Sequence, residues 1–294
     1  MATFDHTVTP QSLNVQASVP KTGSDATAKL RQRLQQWCGV EIGADKAYLL
    51  TNRLRPLLQE VGVSDYDELL KIAESASGVR VRDRIVDVLT THETLFFRDR
   101  SPFEAIRNHL IPEIRNASAT RRPTLRVWSA ACSTGQEPYS IAMSLVESLP
   151  DLKEWHILII ATDVSSGTIA TAKQGRYQDH EVSRGTSPQQ RERFFVREGE
   201  LWAVRSEIRA MVQFQVGDLT SAVQPSGPFD LIFCRNVLIY FPRDVATQVL
   251  ERMVNRLSSD GRLFLGSSEI PHESNDLVQT ERMGMATCFR RRVK

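Results

Sequence analysis

Residues 125–143, LRVWSAACSTGQEPYSIAM, constrain this chain more than any other stretch. An apolar run ends in small residues, turns at Thr134 and Gly135, and enters a helical pattern with Glu137 and Pro138 at its mouth. A strand running through a turn into a helix is how α/β proteins build a ligand site beyond the carboxyl end of a strand. The glycine triad that lets a backbone meet a pyrophosphate is missing, because only Gly135 stands where G-x-G-x-x-G would be needed. An acidic residue in the loop is also poorly suited to phosphate. The expected ligand is therefore nucleotide-like but not anionic.

The rest of the chain supplies a setting for that loop. Its 294 residues leave room for one large domain and a small one. A hydrophobic content of 41% and a charged content of 24% are ordinary for a soluble protein. The net charge of +2 makes no case for nucleic acid or a membrane surface. Basic clusters at Arg80, Arg82 and Arg84, and at Arg290, Arg291, Arg292 and Lys294, read as a solvated helix face and a solubilising tail. Cys38, Cys132, Cys234 and Cys288 lie far apart without metal-ligand spacing. They read as reduced core thiols of a cytoplasmic protein, with no metal expected. The N-terminus lacks the features of a signal peptide, and no run approaches the roughly 20 apolar residues that span a bilayer.

Residues 1–24 are polar and aperiodic and are expected to be a disordered tail. From 25 to 98 the apolar pattern is helical, with Leu49, Leu50, Leu54, Leu57, Leu58 and Val61 at three- and four-residue steps. A further helix is expected from Ser64, with Asp67 as a capping-box partner. Ser101, Pro102 and Glu104 mark the start of a connecting helix over 99–120, with a kink expected at Pro112. Beyond 121 the period changes. Apolar runs at 125–130, 157–161, 211–216 and 229–234 read as buried strands, with helical segments at 137–148, 165–173 and 243–257. That alternation predicts a mostly parallel, doubly wound sheet over 121–294. Residues 261–266 offer another strand, and 283–292 an antiparallel edge. An inserted β-subdomain is expected at about 176–209, around a hairpin at 194–205.

Asp163 ends the second strand, where a carboxylate can grip two ribose hydroxyls; capping the following helix is the competing role. Asp218 follows the third strand, as an acceptor for an adenine amino group or as a turn residue. The fourth strand runs into Arg235, Asn236 and Tyr240, polar groups at the same sheet edge. Phe96 and Phe97 read as domain-interface packing. Arg98 beside them offers a planar fork suited to a carboxylate. No nucleophile elbow, P-loop or metal motif appears. S-adenosylmethionine fits these residues best: it carries no phosphate, its ammonium suits Glu137, and its ribose and adenine suit Asp163 and Asp218.

The segments LTTHETLFFRD (89–99), WSAACSTGQEPYSIAM (128–143), ATD (161–163), PFDLIFCRNVLIYF (228–241) and LFLGSSE (263–269) together resemble bacterial chemotaxis receptor methyltransferases of the CheR type. They occur in family order, and the resemblance runs from about residue 26 to the end. It implies a small all-helical, receptor-binding domain. A Rossmann-like S-adenosylmethionine-dependent methyltransferase domain with an inserted β-subdomain would follow. His92, Thr94, Arg98, Glu137, Asp163, Asp218, Leu219, Arg235 and Asn236 would line the cofactor site. His92 and Asp218 stand where Asn is common in the family. The hairpin at 194–205 is shorter than in enzymes that dock on a receptor's C-terminal pentapeptide, so no dependence on such a tether is expected.

The implied reaction moves a methyl group onto receptor glutamates, forming glutamyl 5-methyl esters and leaving S-adenosylhomocysteine. Arg98 and Tyr240 are expected to hold the carboxylate, and Arg53, helped by Lys46 and Arg55, to meet the receptor's acidic helical bundle. A monomer that neither binds nucleic acid nor inserts in a membrane is expected. The competing readings are a methyltransferase of RNA or a small molecule, and a non-catalytic adaptor.

Overall fold

The computed structural model of the chain describes residues 24–117, 122–269 and 276–292. The tail expected over 1–24 lies outside these residues, Ser24 apart. Helices α1 (Ser24–Cys38), α2 (Ala47–Val61), α3 (Tyr66–Glu74) and α4 (Val79–Leu89) come first. They surround a core of their own that includes Leu30, Leu34, Leu50, Leu54, Leu69 and Ile85, all fully buried. On α2 the buried Leu50, Leu54, Leu57 and Leu58 lie on one face of a 3.6-residue helix. The N-cap of α3 is Asp65, one residue later than the Ser64 that the sequence predicts. Asp65 accepts from Glu68 N at 2.9 Å, and the Glu68 carboxylate returns to Ser64 N at 3.0 Å. Glu68, one methylene longer than Asp67, makes that return.

A loop through 90–100 leads to α5 (Ser101–Ala105), a π-helical turn (Ile106–Leu110) and α6 (Ile111–Ala117). Arg100 rather than Ser101 precedes α5, and no side chain caps it. A π turn precedes Pro112, the position where a kink is expected. A wider backbone there accommodates a ring that would otherwise meet the carbonyl four residues earlier. Phe96 and Phe97 pack into the core of the α/β part. Phe96 meets Tyr177 and Phe195 edge-on, with ring centroids 5.0 and 5.2 Å away, and Phe97 meets Phe103 at 5.4 Å.

Strands and helices then alternate: β1 (Thr124–Ala130), α7 (Gln136–Ser148), β2 (His156–Asp163) and α8 (Ser166–Gln174). The insertion holds β3 (Arg176–Gln178), α9 (Asp179–Ser183), α10 (Pro188–Phe194), β4 (Phe195–Glu198), β5 (Leu201–Val204) and α11 (Ser206–Arg209). Then come β6 (Val212–Val216), β7 (Phe229–Cys234), α12 (Arg243–Val254), β8 (Leu257–Leu265), β9 (Val278–Met283) and β10 (Ala286–Arg291). The large sheet runs β6-β2-β1-β7-β8-β10-β9 and is parallel from β6 to β8. This is the Rossmann-like, doubly wound sheet that the alternation predicts. The antiparallel strand expected over 283–292 is β10, but it lies one place in from the edge, which β9 occupies. The insertion forms an antiparallel sheet, β3-β5-β4.

The chain lays β2 and then β6 on one side of β1, and returns to place β7 on the other side. The loops leaving β1 and β7 therefore diverge and open a crevice at the carboxyl end of the sheet.

Candidate functional site

The loop after β1 is built from unusual backbone. Ala131 and Ser133 hold φ values of 58° and 51°, and Gly135 one of 97°. Phe97, Asp99 and Asn236 are likewise left-handed, and all these positions lie in loops around the crevice. Backbone in such regions persists only where its surroundings hold it. The hold is explicit here. Cys132 N donates to Thr162 O at 2.9 Å, Ser133 N to Asp163 Oδ2 at 2.8 Å, and Ser133 Oγ to His92 O at 2.9 Å. A Cβ on Gly135 would stand 3.0 Å from Ala172 Cβ and 3.1 Å from the Tyr177 hydroxyl. The lone glycine thus serves the turn and the packing beneath it.

Glu137 lies in the first turn of α7, where exposed N–H groups favour a carboxylate. Its Oε1 accepts from Ser129 Oγ at 2.8 Å and its Oε2 from Arg235 Nη1 at 3.1 Å. Burial pushes the Glu137 carboxyl up from the ordinary glutamate range, while Arg235 and Ser129 pull it down. Arg235, its side chain 2% exposed, also donates from Nη2 to Asp99 Oδ2 at 2.7 Å and Arg98 O at 2.8 Å. Its buried Nε has no partner among the described residues.

Asp163 divides its oxygens. Oδ2 takes the Ser133 N–H, and Oδ1 takes the Ser165 N–H at 3.0 Å and the Thr168 hydroxyl at 3.3 Å. The cap of α8 is Ser165, whose hydroxyl accepts from Thr168 N at 2.9 Å. Burial raises the Asp163 carboxyl, opposed by the two N–H groups and by His92. A carboxylate has about four acceptor sites and three are taken here, so room remains for a ligand hydroxyl.

His92, Thr94, Arg98, Glu137, Asp163, Asp218, Leu219, Arg235, Asn236 and Tyr240 all line one cleft. It encloses about 890 Å³, counted out to its open mouth. The His92 ring Nε2 lies 2.8 Å from Asp87 O and 3.1 Å from Thr90 Oγ1. Asp218 also acts as a turn residue, its Oδ1 accepting from Thr220 N and Thr220 Oγ1, each at 2.8 Å. Tyr240 ends a 3-10 turn (Leu238–Tyr240), and its carbonyl accepts from Glu41 N at 2.8 Å. Arg53 stands apart: its Nη1 donates to Leu89 O and Thr90 O, at 3.0 and 3.1 Å, at the end of α4. The sequence reading missed Cys38 and Val40, which line the cleft from the helical side. Nothing in a lone cysteine and valine marks them. Burial pushes the Cys38 thiol up to about 12, so it stays protonated.

The residues present suit S-adenosylmethionine. Its amino-acid end carries one positive and one negative charge, and the cleft offers the Glu137 carboxylate beside the Arg98 and Arg235 guanidinium groups. Asn236 Oδ1 is a buried acceptor without a partner among the described residues, an opening for a ligand donor. Asp163 has acceptor capacity for a ribose. Nothing in this arrangement needs a phosphate.

A family model described as the CheR methyltransferase SAM binding domain matches residues 92–286, and one described as the CheR methyltransferase all-alpha domain matches residues 25–90. The chain is similar to chemotaxis protein methyltransferase 1 of Pseudomonas aeruginosa. They are 40% identical over 251 residues, which cover 84% of this chain and 90% of that one. A Pseudomonas putida chemotaxis protein methyltransferase is 41% identical, covering 84% of this chain and 91% of its own. The Escherichia coli chemotaxis protein methyltransferase is 36% identical, covering 82% of each chain.

Proposed function

The chain belongs to the CheR methyltransferase family, and from that premise we propose that it methylates side-chain carboxylates of glutamates in chemoreceptors, forming glutamyl 5-methyl esters. The observation that carries this reading is the charge layout of one cleft, whose lining holds Glu137 paired to Arg235 together with Arg98 and Tyr240. When bound, S-adenosylmethionine supplies a methyl group on a positively charged sulfur. His92, Thr94, Asp218, Leu219 and Asn236 complete the cofactor wall in this reading.

An exposed glutamate ionises at about pH 4.3, so the accepting oxygen is already anionic near neutrality and no general base is required. The chain's contribution is placement. Arg98, with one guanidinium nitrogen on Glu93 O at 3.1 Å, keeps the others for a carboxylate. Tyr240 offers a hydroxyl from the facing loop. Aligning oxygen, methyl carbon and sulfur can lower a barrier by about 7–11 kcal/mol at the upper end. Arg53 contacts the receptor through the nitrogens that α4 leaves unused.

The inserted sheet supports independence from a receptor pentapeptide, because β4 and β5 are four residues each, joined at Gly199 and Glu200. The enzyme acts as a monomer in the cytoplasm on this reading; among the described residues no helix is long and apolar enough to cross a membrane. Labelled methyl transfer to purified receptor, with the modified residue mapped, is the test. Base-labile label on glutamates, released as methanol, is the expected result. Transfer to RNA or a small molecule instead, or no transfer at all, would overturn it. Equal rates on a receptor lacking its last five residues are expected for the tether-free reading.

A further inference from the structure

Glu269 closes the segment LFLGSSE and does not line the cleft, yet it is 6% exposed and surrounded by backbone donors. Its Oε2 accepts from Asn236 N at 2.6 Å and Gly266 N at 2.7 Å. Its Oε1 accepts from Leu238 N at 2.7 Å and Val237 N at 2.8 Å, with Ile239 N farther off at 3.4 Å. Gly266 N follows β8, whereas the N–H groups of 236–239 open the 3-10 turn after β7, and inside the turn they have no carbonyl to bond. Convergent N–H dipoles form an anion site. Here the anion is the chain's own carboxylate.

The contact joins the exits of two neighbouring parallel strands, β7 and β8. Gly266 permits the approach: a Cβ there would stand 2.5 Å from Glu269 Oε2 and 3.0 Å from Asn236 N. Asn236 keeps its φ of 60° within this clasp. The clasped loop presents Asn236 and Tyr240 to the cleft.

We infer that Glu269 is a positioning residue for methyl transfer, collecting the N–H groups of 236–239 and so setting where Asn236 and Tyr240 stand. The inference rests on the reading of those two as cofactor-side and substrate-side groups. Glu269→Gln tests it, because the amide keeps the shape but places an NH2 against facing N–H donors. Three quantities are measured: kcat for receptor methylation, S-adenosylhomocysteine affinity, and amide hydrogen exchange at 236–239.

In Glu269→Gln, kcat should fall about tenfold or more, the scale of a lost hydrogen bond to a charged group. Exchange at Val237, Leu238 and Ile239 should quicken about tenfold while β1 and β2 stay protected. Glu269→Asp, which retains the charge, should recover part of both, and it carries the test if the amide variant does not fold. Values of kcat and exchange within about twofold of the parent, in a folded variant, would overturn the inference. If the parent itself fails to methylate receptor, the functional reading fails separately. Exchange and S-adenosylhomocysteine affinity then decide Glu269: faster exchange with about tenfold weaker binding supports the role, and no change removes it.

Discussion

Glu137 shows how far one side chain's behaviour departs from its composition. Its spacing after Gly135 places it at a helix mouth, but its charge depends on Arg235, 98 positions away in the chain and 3.1 Å away in space. Because burial raises its pKa, Glu137 takes up a proton at a less acidic pH than an exposed glutamate. A carboxyl raised in the folded state adds stability below its unfolded value of about 4.3, and that stability is lost as pH rises through the raised value. On the proposed reading cofactor binding runs the other way, since an ammonium placed against Glu137 needs its ionised form. Affinity for S-adenosylhomocysteine should therefore fall with acidification, beginning above about pH 4.3. Glu137→Gln should flatten that limb and weaken binding about tenfold at neutral pH, as calorimetric titration would show. Arg98→Ala should lower methyl transfer about tenfold or more, and by far more than it weakens S-adenosylhomocysteine binding, measured on the same preparation. Unchanged turnover would remove Arg98 from the mechanism.

Among the elements, the strands that were easiest to read are those buried on both faces. β1, β2 and β7 are near-continuous apolar runs because helices cover the sheet. β3 has three residues and β9 is a polar edge, so neither carries enough apolar periodicity to be seen. α9 and α10 are not among the predicted helices, although their capping boxes, Gln178 with Glu181 and Ser187 with Gln190, are written in the sequence. A contact between elements is harder still. Asp87 on α4 accepts from the hydroxyl of Ser165, the cap of α8, and from Arg84 Nη1 at 3.0 Å. Ser165 N in turn bonds Asp163, so the helical part steadies the Asp163 carboxylate, the proposed ribose acceptor, through one serine. Asp87→Ala should cost about 1–2 kcal/mol in denaturant unfolding and also weaken cofactor binding, whereas a purely local cap would affect stability alone.

At the scale of the whole molecule, the cleft belongs to neither part by itself. Cys38, Val40 and the loop through 90–98 supply one wall, and the strand ends of the sheet supply the other. The surface proposed to meet the receptor has basic groups that are already partly engaged: Arg53 holds the end of α4 through one nitrogen. Receptor affinity should fall with added salt, with a shallower slope in Arg53→Ala, as titrations between low and physiological ionic strength would measure. The same variant should lose about 1 kcal/mol of stability from its helix-end bonds, so the salt slope and not the affinity alone reports receptor contact.

The sequence by itself determined the doubly wound sheet, the helical segment ahead of it and the loops that carry the site, since periodicity and turn chemistry are local. It also named ten of the cleft's lining residues, because each follows a strand end or a matched family segment. Tertiary structure alone decided which charges pair, what Arg53 spends its guanidinium on, and that Glu269 gathers the N–H groups of a loop 30 to 33 residues earlier. Such contacts depend on strand order and crossing distance. They leave no periodic trace along the chain, so only the folded arrangement reveals them.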